Sequence, residues 1–164
     1  MTIHIRQLHK DDWHLWREIR LHGLQENPEA FASSYPEESI RSTEDFQNDL
    51  EKSDVFGVFQ EGELVGCGGF YILPHRKMQH RGMFFGFYIK AANRSQGNGS
   101  ALLKAIIQRG REKVLQLHCT VLADNPNAIA LYEKNGFIVY GTSPRSVKID
   151  DKFYDEHLMV LQLD

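Results

Sequence analysis

Residues 83–107 read MFFGFYIKAANRSQGNGSALLKAII: an apolar and aromatic run, a loop with two glycines and an apolar helical pattern in direct succession. The first run predicts a strand, and the glycine loop predicts a turn into a helix. At the start of a helix several backbone N–H groups lack partners and point the same way, and the helix dipole adds partial positive charge. Such a junction suits a phosphate or a pyrophosphate. The stretch therefore predicts a site that presents a diphosphate-bearing ligand to a sheet.

The size and composition of the chain are those of an ordinary globular domain. It has 164 residues, and we expect one domain over residues 1–164. A domain of this length buries roughly 70% of the surface that its unfolded chain exposes, so it needs no disulfide or metal for stability. Hydrophobic residues make up 41% and charged residues 25%, which are usual values. Cys67 and Cys119 lie in apparent strands far apart in sequence, which fits reduced core residues in a reducing compartment.

Charge and hydropathy exclude several classes of partner. The formal net charge of −3 gives no general attraction to nucleic acid or to an acidic membrane surface, so any anion site must be local. No window approaches the ~18 apolar residues of a membrane span, and the first residues lack the apolar core of a signal peptide. The histidines show no metal-ligand spacing, and none pairs with a cysteine as in a zinc site. We expect a soluble, cytoplasmic protein without a metal.

The hydrophobic pattern gives an order of secondary-structure elements. The first half predicts a strand at 2–8, a helix from a cap at Asp11 or Asp12 to about Gln25, a less regular segment at 28–39, and a helix at 43–50 capped by Ser42. The second half predicts strands at 55–59, 64–72 and 80–89, a helix to about 110, a strand at 115–122, a helix at 125–135, and strands at 137–149 and 153–163. The order is β-α-α-β-β-β-α-β-α-β-β, an α/β (α+β) fold. The strand–helix–strand run at 83–122 implies one parallel pair in an otherwise antiparallel sheet.

The glycine loop taken alone leaves its ligand open. A dinucleotide-binding fingerprint needs a third Gly or Ala where this chain has Leu102, and a P-loop needs Gly-Lys-Ser/Thr, which is absent. Gly97-x-Gly99 by itself equally fits a glycine-rich turn without a ligand. A second motif is needed to identify the ligand of this loop.

That second motif is VLADNPNAIALYEKNGF, at residues 121–137. Arg94-x-x-Gly97-x-Gly99 resembles the pyrophosphate signature Gln/Arg-x-x-Gly-x-Gly/Ala of the GNAT-type, acetyl-CoA-dependent N-acetyltransferases. The stretch from Asn125 through Tyr132 to residue 137 resembles their second signature, Asn-x-x-Ala-x-x-Leu/Phe-Tyr-x-x-x-Gly-Phe. Both motifs occur in the family's order and spacing, and the resemblance extends over nearly the whole chain. It implies a GNAT-like, mostly antiparallel twisted sheet with a central parallel strand pair.

The resemblance also implies a co-substrate, acetyl-CoA, and the residues that bind it. In the family's pattern these are Phe87, Tyr88, Ile89, Arg94, Ser95, Gln96, Gly97, Asn98, Gly99, Ser100, Asn125, Ala128 and Tyr132. Glycine at 97 and 99 lets the backbone approach the phosphates without a Cβ in the way. Asn98 replaces the family's usual apolar residue, and we expect its side chain to point away from the phosphates. Arg94 is otherwise a surface cation, and Asn125 is otherwise only a helix cap.

In the same pattern Tyr132 is the general acid that protonates the leaving CoA thiolate. Its alternative role is that of an aromatic residue packed in the core. The strand that ends at Ile89 commonly bulges in this family and separates from the next strand. The gap leaves backbone groups free to pair with the pantetheine amides, and one N–H can polarise the thioester carbonyl.

The acceptor is less defined by the sequence. We expect a primary amine, either a small molecule or a peptide N-terminus, which attacks the thioester directly in a ternary complex. The candidate bases are His80, Glu37 and Glu38, and Tyr35 and Tyr71 could line the pocket; each of the five also fits a solvated or structural role. Strand edges in this fold often pair, so the chain could form a homodimer.

Two other functions fit parts of the pattern. The same fold can serve as a non-catalytic acyl-CoA-binding or regulatory module, which would bind the thioester without acetylating any amine. A nucleotide-binding oxidoreductase conflicts with Leu102 in the glycine loop.

Overall fold

The computed structural model describes residues 2–164, except for the side chain of Ala30. The strands are β1 (Ile3–Leu8), β2 (Asp54–Gln60), β3 (Glu63–Ile72), β4 (Arg81–Ile89), β5 (Gln116–Leu122), β6 (Ile138–Ile149) and β7 (Lys152–Gln162). The helices are α1 (Trp13–Glu26), α2 (Tyr35–Ser39), α3 (Thr43–Lys52), α4 (Asn98–Lys113) and α5 (Pro126–Lys134). Short 3₁₀ turns occupy Lys10–Asp12, Pro28–Ala30, Arg76–Met78 and Ala91–Asn93. Within residues 2–164, no helix is both long enough and apolar enough to cross a bilayer.

The strands form one mixed sheet of seven, in the order β1-β2-β3-β4-β5-β7-β6. Only β4 and β5 run parallel, and every other neighbouring pair is antiparallel. The predicted mixed fold and its central parallel pair are therefore confirmed. The hairpin at Glu61-Gly62 has φ +51° and +80°, as a two-residue turn between twisted strands requires.

Two local predictions were wrong. The segment predicted to be less regular contains α2, because the Ser34 hydroxyl accepts the Glu37 N–H at 3.3 Å and caps a single helical turn. Asp12 precedes α1 but does not cap it through its side chain. Its carboxylate accepts instead from the His9 N–H at 2.8 Å and from both terminal nitrogens of Arg6. The ion pair with β1 outcompetes the cap.

Each face of the sheet carries its own core. On one face α4 and α5 cover a cluster that includes Leu103, Phe84 and Tyr132. On the other face α1 and α3 cover a cluster that includes Trp16 and Phe46. A gap in the sheet would therefore be bordered by helices on both faces.

Candidate functional site

The sheet opens between β4 and β5. The two strands pair only where Arg81–Met83 lies beside Gln116–His118. Beyond that point they diverge, while β5 stays paired with β7 through Leu122. The facing edges of the outer halves of β4 and β5 therefore do not pair with each other. A cavity of about 1020 Å³ occupies the gap, which is the size of a site for a large ligand.

A bulge at Gly86 shapes the β4 side of this cavity. Gly86 has φ +67°, and the register between β3 and β4 shifts by one residue here. In a regular strand, Phe84 and Phe87 would face opposite sides of the sheet. Because of the bulge both rings contact Tyr132, at centroid distances of 5.5 and 5.9 Å. The bulge thus turns the backbone of β4 at the cavity wall, where an extended ligand could add its amides to the strand.

The glycine loop forms one end of the cavity. Gly97 is the residue before α4, has φ +87°, and gives the helix no side-chain cap. The N–H groups of Asn98, Gly99 and Ser100 therefore lack partners within the helix. A Cβ built at Gly97 meets no atom within 4 Å, so the space around it is open. Ser95, which has φ +61°, also lines the cavity. The loop presents a curved row of N–H groups suited to phosphate oxygens.

Two side chains of this loop turn away from the cavity. The Asn98 residue is only 1% exposed, and its Nδ2 donates to the Asn93 carbonyl at 2.9 Å. Gln96 donates to the Ala92 carbonyl and accepts from Gln60 at 3.0 Å. Neither residue lines the cavity with its side chain. Gln96 and Asn98 could reach a phosphate only through backbone N–H groups.

Arg94 lines the cavity and also braces the loop. Its Nε donates to the Ile89 carbonyl at 2.9 Å, and its Nη2 donates to Oδ1 of Asn27 at 3.3 Å. Nη2 also lies 3.6 Å from a Glu26 carboxylate oxygen, and the other oxygen of Glu26 accepts the Tyr88 hydroxyl at 2.8 Å. These contacts connect the end of β4, the loop and the end of α1. Arg94 is therefore braced at the cavity wall, while its side chain remains 43% exposed.

Tyr132 lies on α5 and reaches the cavity from the α4–α5 face. The residue is 6% exposed, and burial raises the pKa of its phenol well above the usual range. The hydroxyl is therefore protonated at any physiological pH. It has no hydrogen-bond partner in the part of the chain that the structure describes. Tyr132 thus offers an uncommitted proton donor to a ligand in the gap.

Asn125 caps α5 and lines the cavity at the same time. Its Oδ1 accepts the Ala128 N–H at 3.2 Å, which is the predicted capping interaction. Ala128 also lines the cavity. The cap sets the direction of α5 and so the position of Tyr132 one to two turns later.

His80 does not lie at the cavity. It is exposed and precedes β4, and its carbonyl accepts the Leu115 N–H at 2.8 Å. Eight residues separate it from Tyr88, which is about 26 Å along a strand. The sequence spacing did not exclude His80, since Met83, three residues further on, lines the cavity.

The structure also gives Glu37, Glu38 and Tyr35 other positions. Glu37 is exposed and accepts the Ser34 hydroxyl, and Tyr35 is 38% exposed; neither lines the cavity. Glu38 is only 5% exposed and is paired with two arginines, so it is a structural carboxylate. Of the five predicted acceptor-side residues, only Tyr71 lines the cavity.

Three charged residues that no sequence pattern predicted line the cavity. Glu29 comes from the 3₁₀ turn after α1, and Glu156 comes from β7, where it accepts the Ser146 hydroxyl. Arg20 comes from α1 and is nine-tenths buried. Its spacing of four residues from Trp16 would have placed it on the apolar face of that helix. Nothing in the local sequence marks Glu29 or Glu156.

Neither cysteine has the properties of a nucleophile. Cys67 is fully buried with its Sγ 3.4 Å from the Gly86 carbonyl, and Cys119 is buried in β5. Burial raises the pKa of both thiols to about 12. Both are therefore protonated at neutral pH. Among residues 2–164, no cluster of three or more His, Cys, Asp or Glu side chains could hold a metal ion.

Comparisons with known proteins agree with this geometry. Residues 8–137 match the family described as "Acetyltransferase (GNAT) family". The chain is 30% identical over 130 residues to acetyltransferase PseH of Campylobacter jejuni, covering 78% of this chain and 72% of that protein. It is 29% identical over 115 residues to the ribosomal-protein-serine acetyltransferase of Escherichia coli, covering 67% of this chain and 61% of that protein.

Solved structures show the same fold. A GNAT-family acetyltransferase from Streptococcus pneumoniae has a TM-score of 0.89 at 22% identity, over 99% of this chain and 100% of that one. The yncA protein of Salmonella typhimurium, a putative acetyltransferase solved with its cofactor acetyl-CoA, has a TM-score of 0.86 at 20% identity. That match covers 100% of this chain and 95% of the other.

Proposed function

Because the chain belongs to the GNAT acetyltransferase family, we propose that it transfers the acetyl group of acetyl-CoA to a primary amine. The amine attacks the thioester directly while both substrates are bound. One observation carries the proposal: the gap between β4 and β5 has the uncapped start of α4 at one end and, on its wall, a buried phenol without a partner among the described residues. A long ligand with a diphosphate and a reactive thioester fits such a gap.

The residues present fit acetyl-CoA at each part of the molecule. The open space at Gly97 and the N–H groups that begin α4 would hold the diphosphate. The unpaired edges of β4 and β5 would bond the pantetheine amides as an added strand does. A backbone N–H near the bulge at Gly86 would polarise the thioester carbonyl. When bound, acetyl-CoA supplies the activated acetyl group.

The chemistry requires two proton transfers. The amine nitrogen forms a bond to the acetyl carbon, the C–S bond breaks, the amine loses a proton, and the CoA sulfur gains one. Tyr132 donates to the sulfur, since its phenol is protonated and has no other partner among the described residues. Glu29 and Glu156 are the carboxylates of the cavity wall and are our candidates for accepting the amine proton.

Direct attack is favoured over an acetyl-enzyme intermediate. A covalent route through sulfur needs a thiolate, and the pKa of about 12 for both thiols leaves almost none at neutral pH. The name of the Escherichia coli relative refers to a ribosomal protein. A protein N-terminus therefore stays among the candidate acceptors, beside small amines.

Calorimetry with acetyl-CoA, followed by a thiol-reagent assay of CoA release over a panel of amines, tests the proposal. We expect binding in the micromolar range and CoA release only with some amines. Absence of binding at high micromolar acetyl-CoA would refute the proposal. Binding without release on any amine would favour the non-catalytic acyl-CoA-binding module.

A further inference from the structure

One cation in the cavity has two hydrogen-bonding nitrogens without partners. Arg20 lies on α1, and its side chain is 10% exposed. Its Nε donates to Oε1 of Glu38 at 2.7 Å. Neither Nη atom has a hydrogen-bond partner in the described residues, and the side chain lines the cavity. Both Nη groups are therefore free donors in contact with the cavity, and an anionic group of a ligand could accept from them there.

The guanidinium is held in a fixed orientation. Its centre lies 5.0 Å from the ring centroid of Trp16 and 6.0 Å from that of Phe31. Glu38 holds the Nε edge, and Arg41 holds Glu38 from the other side at 3.2 Å. Stacking and pairing leave only the outer edge of Arg20 to contact a ligand.

The charges around Arg20 balance without a ligand. Arg20, Glu38, Arg41 and Asp49 form a chain of alternating charges, and Asp49 also accepts the Trp16 indole N–H at 3.1 Å. The chain as a whole is neutral, so it does not oppose an incoming anion. The two Nη groups of Arg20 donate in one plane, and a carboxylate can accept hydrogen bonds from both of them at once.

Arg20 also lies beside the bulge. A Cβ built at Gly86 would be 3.4 Å from Nη1 of Arg20. The backbone near Gly86 is where we place the thioester carbonyl. An anion on Arg20 would therefore lie only a few ångströms from the attacking nitrogen. The two groups must belong to one small molecule, or to one residue.

We propose that the acceptor is a small amino acid whose carboxylate binds the two Nη groups of Arg20. This inference rests on the proposed acetyl transfer and names the acceptor class of that same site. A second ammonium at the Arg20 end of the cavity would lie against the buried guanidinium, so a polyamine fits that position poorly. An amine without an anionic group would leave the Nη groups unpaired.

The test compares kcat/KM for amino acids with kcat/KM for the corresponding carboxamides. It is measured in the wild type, in Arg20→Met and in Arg41→Met. Arg41→Met is the matched control, because it removes a cation from the same charge chain on the side away from the cavity. In Arg20→Met, Glu38 keeps Arg41 as a partner. We expect wild-type kcat/KM to favour the carboxylate by about 10- to 100-fold, which is the size of a charge-assisted hydrogen bond. Arg20→Met should abolish that preference, and Arg41→Met should keep it.

Binding measurements make the test independent of turnover. N-acetylamino acids and their amides are titrated by calorimetry into each protein saturated with CoA, and melting temperatures verify folding. We expect tighter binding of the acids to the wild type and to Arg41→Met, and equal binding of both to Arg20→Met. Equal binding of acid and amide to the wild type, or a preference that survives in Arg20→Met, would overturn the inference. Failure of the proteins to bind acetyl-CoA would instead reject the proposed function.

Discussion

Replacing Tyr132 with phenylalanine separates its chemical role from its packing role. The ring contacts Phe84, Phe87 and Phe137 at centroid distances of 5.5 to 5.9 Å, and phenylalanine can keep all three contacts. The hydroxyl has no partner among the described residues, so its removal breaks no hydrogen bond of the protein. We therefore expect the free energy of unfolding to change by less than about 0.5 kcal/mol.

The expected loss lies in kcat. General acid catalysis contributes about 10²- to 10⁴-fold, and each tenfold is about 1.4 kcal/mol of barrier. A thiolate whose parent thiol has a pKa of about 8.5 leaves readily without early protonation. The high pKa of buried Tyr132 also makes it a weak acid. Both reasons favour the lower end, a fall in kcat of about 10²-fold.

Steady-state CoA release gives kcat, calorimetry gives the acetyl-CoA affinity, and thermal unfolding reports stability. Tyr140→Phe is the matched control, because Tyr140 is 53% exposed on β6 and does not line the cavity. The affinity for acetyl-CoA should stay within about 3-fold of the wild type in both variants, since a single neutral contact is worth little in water. An unchanged kcat in Tyr132→Phe would refute the role of the phenol as the acid.

Three further predictions follow from the same site and its supports. Gly97→Ala puts a Cβ on a residue at φ +87° in open space, so the cost of holding the loop conformation is about 1 to 2 kcal/mol. We expect the Kd of acetyl-CoA, measured by calorimetry, to rise by up to 10-fold. An unchanged Kd would contradict the phosphate-binding role of the loop. Glu156→Gln and Glu29→Gln are compared by their pH–rate profiles, and the variant that lacks the base should lose the acidic limb of the kcat/KM profile. If both variants keep that limb, the base is not a carboxylate of this cavity. Burial would raise the pKa of Asp54, but hydrogen bonds from two cationic neighbours outweigh it and hold that pKa below the usual range. Asp54 therefore stabilises the fold at pH values above its unfolded pKa and loses this contribution as the pH falls through its lower folded pKa. Asp54→Asn should lower the free energy of unfolding by about 2 kcal/mol, measured by denaturant unfolding at pH 7. Equal stability of variant and wild type at pH 7 would disprove the contribution.

The geometry of the glycine loop was predictable because it depends on local backbone conformation. Gly97 has a positive φ and the residues after it begin a helix, so a few consecutive residues encode the conformation of the loop. The Asn125 cap follows from helix signals of the same kind, whereas the role of Tyr132 was implied by the family resemblance. Their placement beside the loop came from the family resemblance, since the two motifs are distant in sequence.

The charged lining of the cavity was not predicted because it is assembled from elements that are distant in sequence. Glu38 was a candidate base, but Arg20 and Arg41 approach it from two sides and turn it into a buried structural charge. His80 was predicted to begin the fourth strand, but in the structure it precedes β4 and lies outside the cavity lining. Glu156 reaches the cavity only because β7 pairs with β5, a pairing that no local pattern encodes.

The sequence by itself determined the order of the strands and longer helices, the parallel strand pair and the glycine loop of residues 94–100, since each depends on periodicity or on the φ angle of a few neighbouring residues. The tertiary structure decided how far β4 and β5 stay paired, where the bulge at Gly86 turns the chain, and which charges border the gap. The physical reason is that a charge acquires its role from what surrounds it. Arg20 has the same local sequence whether its Nη groups meet water or a buried cavity, and only packing against Trp16 and Glu38 leaves them facing the site.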